Sequence, residues 1–189
     1  MLKLKQITPP AIEPISTSQV LGQLKFDVDE VDPETIEQIE RLITAARERC
    51  ETYQNRAYIT QTFELALECF PGGSRIKLPR PLLQDIVHLS SQKNGGVPEI
   101  WDASNYVIDD FSEPGYLIKI SGASWPSGNL APNGIKVRYV AGYGSTADDV
   151  PEMIKHAILL LTVYWWENGM CEPPCAVYDL LDLERVIPI

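Results

Sequence analysis

A change of hydrophobic period constrains this chain more than any other feature. Ile36, Ile39, Ile43, Ala46, Cys50 and Tyr53 recur in steps of 3, 4, 3, 4 and 3, which puts them on one helix face over about five turns. From Thr62 the step becomes two: Phe63, Leu65, Leu67 and Cys69 alternate with Thr62, Glu64 and Glu68, the pattern of a half-buried antiparallel strand. Beyond residue 150 the helical period returns in Ile154, Ile158, Leu161 and Trp165. A chain that runs helix, strands, helix excludes an all-α or all-β architecture and predicts an α+β fold.

Local signals set the element boundaries. Ser16-Thr17-Ser18-Gln19 offers a hydroxyl cap with Gln three residues on, so a first helix is expected over 16–25, presenting Val20, Leu21 and Leu24. Asp32 as N-cap, Pro33 at the first helical position and Glu34 and Glu37 near the positive end start a second helix over 33–54, which Asn55 and Arg56 end. A third helix over 150–168 starts at Val150-Pro151-Glu152, capped by Asp148 or Asp149. Leu159, Leu160, Val163 and Trp166 widen its apolar surface, as in the central helix of a bundle or one covered by a partner subunit, and Asn168-Gly169 stops it. A short helix is expected over 176–185, carrying Val177, Leu180, Leu181 and Leu183, before the apolar end Val186-Ile187-Pro188-Ile189.

The β-rich insertion spans about 59–141. Its strands are expected over 62–69, 75–78, 83–90, 106–108, 116–120 and 135–141, with Asn94-Gly95-Gly96 as a hairpin turn. Residues 121–134 form a Gly/Pro/Asn/Ser loop with Trp125-Pro126 inside it, long enough to be functional. The expected organisation is a single domain over 1–189, with a helical bundle from 1–58 and 150–189 and an inserted β-rich subdomain over 59–149.

Composition limits function without supplying one. The 189 residues hold 16 Lys plus Arg against 26 Asp plus Glu, a net charge of −10, with 44% apolar and 22% charged residues. That is a globular balance, and its sign argues against a surface built to grip phosphates. The negative charge is −3 over 1–58, −3 over 59–149 and −4 over 150–189, densest beside the most apolar helix. Met1-Leu2-Lys3-Leu4-Lys5 has no apolar run behind it, and the longest apolar stretch, 157–166, falls short of the ~20 residues of a membrane span. The expectation is a soluble protein made in a cytoplasm.

The motifs that invite chemistry have blander readings. Residues 27–40 hold seven carboxylates and no base, but a calcium loop from Asp27 would need Gly where Asp32 stands and Glu where Gln38 stands, so a helix N-terminus with a solvated acidic face is expected. His88 and His156 have no nucleophile pattern near them, and the glycine pairs match no phosphate-binding loop. Cys50 and Cys69 read as small core residues. Cys171 and Cys175, separated by Glu172-Pro173-Pro174, favour free thiols over a local disulfide, and both over a metal site. No catalytic residue, cofactor or metal is expected.

A set of strings in order carries a resemblance. They are Thr8-Pro9-Pro10 with Glu13-Pro14-Ile15-Ser16, Arg56-Ala57-Tyr58-Ile59-Thr60-Gln61-Thr62, Leu78-Pro79-Arg80-Pro81-Leu82 and Trp125-Pro126. After them come Val140-Ala141-Gly142-Tyr143-Gly144, Val150-Pro151-Glu152, Lys155, Ala157-Ile158 and Trp166-Glu167-Asn168. Together, over about residues 7–168, they resemble the head–tail connector proteins (adaptor or head-completion proteins) of tailed bacteriophages and prophages. The resemblance implies a structural virion component at the portal vertex or neck, made in the host bacterial cytoplasm, without catalytic residues or cofactor. It implies a ring, commonly of twelve subunits, stacked under the portal, with many free adaptors of the family being monomers. Such a ring continues the DNA channel without sequence-specific binding and docks the tail or a neck-completion protein, away from any membrane. It also implies a helical bundle with a β-rich insertion between the second and third main helices. After Asn168 the sequence departs from the pattern.

On that reading the interface candidates, toward a subunit or the portal, are Trp125, Leu160, Trp165, Trp166, Val177, Tyr178, Leu180, Leu181, Val186 and Ile187. The stretch 177–189 is expected at the portal, and the 121–134 loop and the Asn94-Gly95-Gly96 tip on the tail or lumen side. The rivals are another neck or tail-completion protein and a small α+β hydrolase, which would need a convergent polar site.

Overall fold

In the computed structural model, residues 3–27 and 30–187 are described. Met1, Leu2, Asp29 of the acidic run, and Pro188 and Ile189 of the expected portal contact lie outside them. The elements in order are β1 (Lys3–Thr8), α1 (Thr17–Leu24), α2 (Pro33–Gln54), β2 (Gln61–Leu67), β3 (Arg75–Lys77), β4 (Leu83–Lys93), β5 (Pro98–Trp101), β6 (Tyr106–Asp109), β7 (Tyr116–Lys119), β8 (Leu130–Ala141), α3 (Glu152–Asn168) and α4 (Cys175–Leu181). The fold is α+β, and the chain divides into two compact units, residues 3–10 with 60–142 and residues 11–59 with 143–187.

The helical unit follows its caps. Ser16 and Gln19 form the reciprocal capping box at the start of α1, and Lys25 ends it in a left-handed conformation at φ 58°. Asp32 accepts from the Thr35 amide at 2.9 Å, Pro33 takes the first helical position, and Asn55 closes α2 at φ 56°. The α2 stripe buries Ile39, Ile43, Ala46 and Cys50 against Val20 and Leu21 of α1, Ile154, Ile158 and Leu161 of α3, and Val177 and Leu181 of α4. Each such Leu, Ile or Val contributes about 1.5–3 kcal/mol on burial. Burial pushes the Cys50 thiol up to about 12, so it sits in this core as an inert apolar group.

The expected acidic cap of α3 is not formed. Asp148 and Asp149 belong to a separate 3-10 turn (Ala147–Asp149), in which Asp149 accepts from the Thr146 amide at 2.9 Å and its hydroxyl at 2.8 Å. Val150 and Pro151 then intervene before the helix, and Pro151 is the uncapped N-cap.

The β unit holds two antiparallel sheets, one in the order β1-β2-β8-β4-β5 and one in the order β3-β7-β6. The period-two face of β2 meets β8 through Phe63↔Tyr139, Leu65↔Val137 and Leu67↔Ile135, and the Phe63 and Tyr139 rings lie 5.8 Å apart. Tyr139, wholly buried, donates to the Pro79 carbonyl at 2.6 Å.

Four differences from the sequence expectation have identifiable structural causes. Lys3–Thr8, placed with the helical part by its position in the chain, is an edge strand on β2. Pro98–Trp101 is a strand that the proline hid; on an outer strand Pro is tolerated because one row of amides faces outward. The 121–134 loop ends early, because β8 begins at Leu130 and absorbs Asn133 (φ 57°) and Gly134 at a register shift against β4. A Cβ on Gly134 would stand 2.6 Å from the Gln92 carbonyl oxygen, so no side chain fits there. Cys69 is exposed rather than core, because β2 stops at Leu67 and the alternation stops with it.

Candidate interaction surfaces

The polar groups that could carry chemistry are scattered. His88 lies on β4 opposite Arg138, where burial first and the Arg138 charge second lower its pKa. His156 is exposed on α3 in the other unit. Among the described residues no group of three His, Cys, Asp or Glu side chains could hold a metal ion, and no helix is long and apolar enough to cross a membrane. Cys50, Cys69, Cys171 and Cys175 are free thiols, the last three exposed.

Among the described residues two arginines are buried, Arg47 and Arg56, and the tightest set of ion pairs is at Arg47. Arg47, 3% exposed, donates from Nε to Glu13 and from Nη1 to Glu51, each at 2.8 Å. Burial works against its charge, and Glu51 and Glu13 outweigh it, so the guanidinium is held more firmly protonated than usual. Glu51 also accepts from the Tyr58 amide at 2.8 Å, and Thr44 donates to Glu13 at 2.9 Å. One arginine thus ties the segment before α1 and the segment after α2 to the middle of α2.

The interface candidates divide by burial. Trp165, Val177 and Leu181 are core residues of the helical unit, and the Trp165 indole donates to the Cys171 carbonyl at 2.8 Å. Leu160, Trp166, Tyr178 and Leu180 are half-buried at the rim of that core. Trp166 meets Phe26 edge-on at 6.0 Å, and Tyr178 packs on Tyr53 at 4.6 Å while accepting from Arg49 at 2.8 Å. These residues come together in one unit; Trp125 lies in the other.

The C-terminal segment is clasped to the end of α2. The Val186 amide donates to the Gln54 carbonyl at 3.0 Å, and the Asn55 amide group donates to the Val186 carbonyl at 2.9 Å. Gln54 donates to the Leu181 carbonyl at 2.6 Å, Arg56 to the Glu184 carbonyl at 2.5 Å and Tyr53 to Asp182 at 2.5 Å; Tyr143 donates to Glu184. Arg185 stacks over the Tyr53 ring at 4.2 Å. Leu183 and Ile187 stay outside this clasp, 76% and 71% exposed.

Two surface features of the β unit escaped the sequence reading. One is an aromatic stack: Trp125 lies flat on Phe70 at 4.9 Å and packs on Trp101 at 5.2 Å, Trp101 packs on Tyr106 at 5.9 Å, and the Trp125 indole donates to the Gly73 carbonyl at 2.9 Å. Trp125 therefore stands as the middle of a stack contributed by four separate segments, a long-range pairing that no periodicity announces. The other is a run of exposed apolar side chains, Val97, Ile100, Val107, Ile108 and Phe111, the last 97% exposed. Only their density in a segment otherwise rich in carboxylates could have signalled it.

The architecture defines an α+β protein in which a two-sheet unit, its first strand excepted, falls in chain order between the second and third helices of a helical unit. Three solved structures share it along nearly their whole length. A chain from the neck of an empty gene transfer agent (GTA) particle, computed with C6 symmetry, superposes with a TM-score of 0.81 at 20% identity over 98% of this chain and 96% of that one. A chain from the virion of a native GTA particle gives 0.79 at 20% identity over 99% and 97%. One from the neck of a native GTA particle, computed with C12 symmetry, gives 0.69 at 20% identity over 100% and 97%. At that identity the likeness is one of fold. No protein-family model and no curated protein matches the sequence.

Proposed function

We propose that this chain is a structural component of the neck of a phage-like particle, a head–tail adaptor that forms a ring beneath the portal, continues the DNA channel and docks the tail. The observation that carries the reading is the full-length agreement of both units, in the same chain order, with chains from GTA particles and their necks. The order of the short sequence strings supports the same family. A ring of twelve copies fits the C12 symmetry of one of those necks. The charge supports a channel role: with a net −10, carboxylates facing a lumen would repel DNA phosphates and let the duplex slide.

The C-terminal segment is the proposed portal contact, through the exposed Leu183 and Ile187 rather than the buried Val177 and Leu181. The test mixes the purified chain with the portal protein of the same genome and images the mixture by electron microscopy. A layer of added density with the rotational symmetry of the portal supports the reading; a chain that neither binds portal nor forms rings overturns it. Changing Leu183 and Ile187 to Ser should weaken portal binding while leaving the helical circular dichroism unchanged, and unaltered binding refutes the C-terminal contact.

A further inference from the structure

The two sheets of the β unit carry opposite charges on their opposite edges. In the five-stranded sheet β1 is one outer strand and β5 the other, four strand spacings or about 19 Å apart. β1 presents Lys3 and Lys5, and no carboxylate occurs before Glu13. β5 presents Glu99. The three-stranded sheet repeats the pattern: outer strand β3 carries Arg75 and Lys77, and outer strand β6 ends in Asp109. From residue 94 to residue 118 there are five carboxylates and no Lys or Arg.

Apolar surface follows the same division. On the acidic side Ile100, Val107 and Phe111 are 72%, 52% and 97% exposed, on or beside the strands that carry the carboxylates. On the other side an open groove beside β1 has Leu65 and Leu67 in its lining with Lys3, Lys77 and Glu68, the carboxylate paired with Lys3, so that Lys5 and Lys77 carry the positive excess of that edge. Lysine on an outer strand also guards it against uncontrolled pairing. That role is served by like charge on both edges, whereas here the two edges differ in sign and one is apolar.

We propose that the acidic, apolar β5–β6 edge of one copy docks on the basic β1–β3 edge of the next copy of this chain. The contact joins two different surfaces of the same molecule, so it is heterologous and repeats head to tail, the geometry that closes into a ring. Opposite charge sets the register and the exposed apolar side chains supply the buried area. The inference rests on the ring reading above and adds which surfaces build the ring.

Two charge-reversed variants test it at exposed positions: Glu99→Lys with Asp110→Lys on the acidic edge, and Lys5→Glu with Lys77→Glu on the basic edge. Self-association is followed by analytical ultracentrifugation in low salt up to about 1 mM protein, the weak limit for a specific contact. The native chain should associate, less so as salt is raised. Each variant alone should lose association by about a hundredfold, because like charges then face each other. An equimolar mixture of the two should regain it, since each reversed edge finds its complement on the other variant.

Variants that associate as the native chain does, or a mixture that stays monomeric, overturn the edge contact while leaving the ring reading to the portal experiment. A native chain monomeric at the highest concentration overturns the self-complementarity itself. Portal-bound rings formed equally by both variants would keep the ring and refute these edges.

Discussion

The two units of this chain solve their surfaces in opposite ways. The helical unit, residues 11–59 with 143–189, holds 7 basic and 18 acidic side chains, whereas residues 1–10 with 60–142 hold 9 and 8. Nearly all the net charge is therefore in the helical unit, whose C-terminal segment is tied down with hydrogen bonds and whose exposed apolar side chains, Met170, Leu183 and Ile187 foremost, stand near that end of the chain. The β unit is close to neutral, but its charges are sorted by edge and five large apolar side chains stand exposed between residues 97 and 111. Net charge thus says little about where such a molecule meets a partner. Its distribution across two sheet edges says more, because recognition responds to local potential and exposed apolar area.

The largest expected effect tests whether the helical unit is closed by its buried ions. Arg47→Met removes the shared partner of Glu13 and Glu51 and leaves two poorly solvated carboxylates facing each other. It should cost about 3–5 kcal/mol, read as a fall in the urea midpoint of the far-ultraviolet circular dichroism. Adding Glu13→Gln and Glu51→Gln should recover much of the loss, because the unpaired charges go with the cation. A loss below about 1 kcal/mol for Arg47→Met would show a unit held by its apolar core alone.

The corresponding polar anchor of the β unit is a single neutral bond. Tyr139→Phe keeps the ring that packs on Phe63 and deletes the hydroxyl donating to the Pro79 carbonyl, so the cost should be about 1–2 kcal/mol in the same denaturation. A cost equal to that of Arg47→Met would erase the contrast between a unit locked by ions and one locked by packing.

Smaller still is a pH effect at Glu64. Burial raises its pKa, but the bond from Arg138 at 2.7 Å and Lys136 at 3.3 Å outweigh it, and the net shift is downward. A depressed folded pKa contributes stability that is present above the ordinary glutamate range and is lost as pH falls through the lowered value. The urea midpoint should therefore drop more steeply on acidification in the native chain than in Glu64→Gln. Identical slopes would mean that half-buried Arg138 and exposed Lys136 leave Glu64 effectively screened.

Sequence patterning revealed the elements whose signals are local. Asp32 with Pro33, Asn55, and the Phe63-to-Leu67 alternation each need only a few neighbours to act, and the structure carries all of them. What it hid depends on partners distant in the chain. Lys3–Thr8 is a strand because β2 lies beside it, and its two lysines mask an alternation that an outer strand does not need. Pro98 hid β5 for the same reason. Large apolar side chains near the C-terminus look alike in sequence, which cannot separate Val177, which fills the core, from Ile187, which does not. Exposed Phe111 follows two aspartates and belongs to no periodic run, so nothing local signals it.

That residue also gives the smallest expected effect and the sharpest test of the contrast. Phe111 is 97% exposed between Asp110 and Ser112, whose amide and hydroxyl hold Asp109 in a tight turn at 3.1 and 2.8 Å. A side chain so exposed buries almost no area in the isolated chain, so Phe111→Ser should change folding stability by no more than about 0.5 kcal/mol. Its effect should appear instead in association, where an exposed aromatic has area left to bury. Stability unchanged and self-association weakened would place the apolar surface of the β unit outside the folding energetics. A loss of about 2 kcal/mol or more on folding would mean that Phe111 packs within its own chain, and the exposed edge would then be no more available to a partner than the helical core.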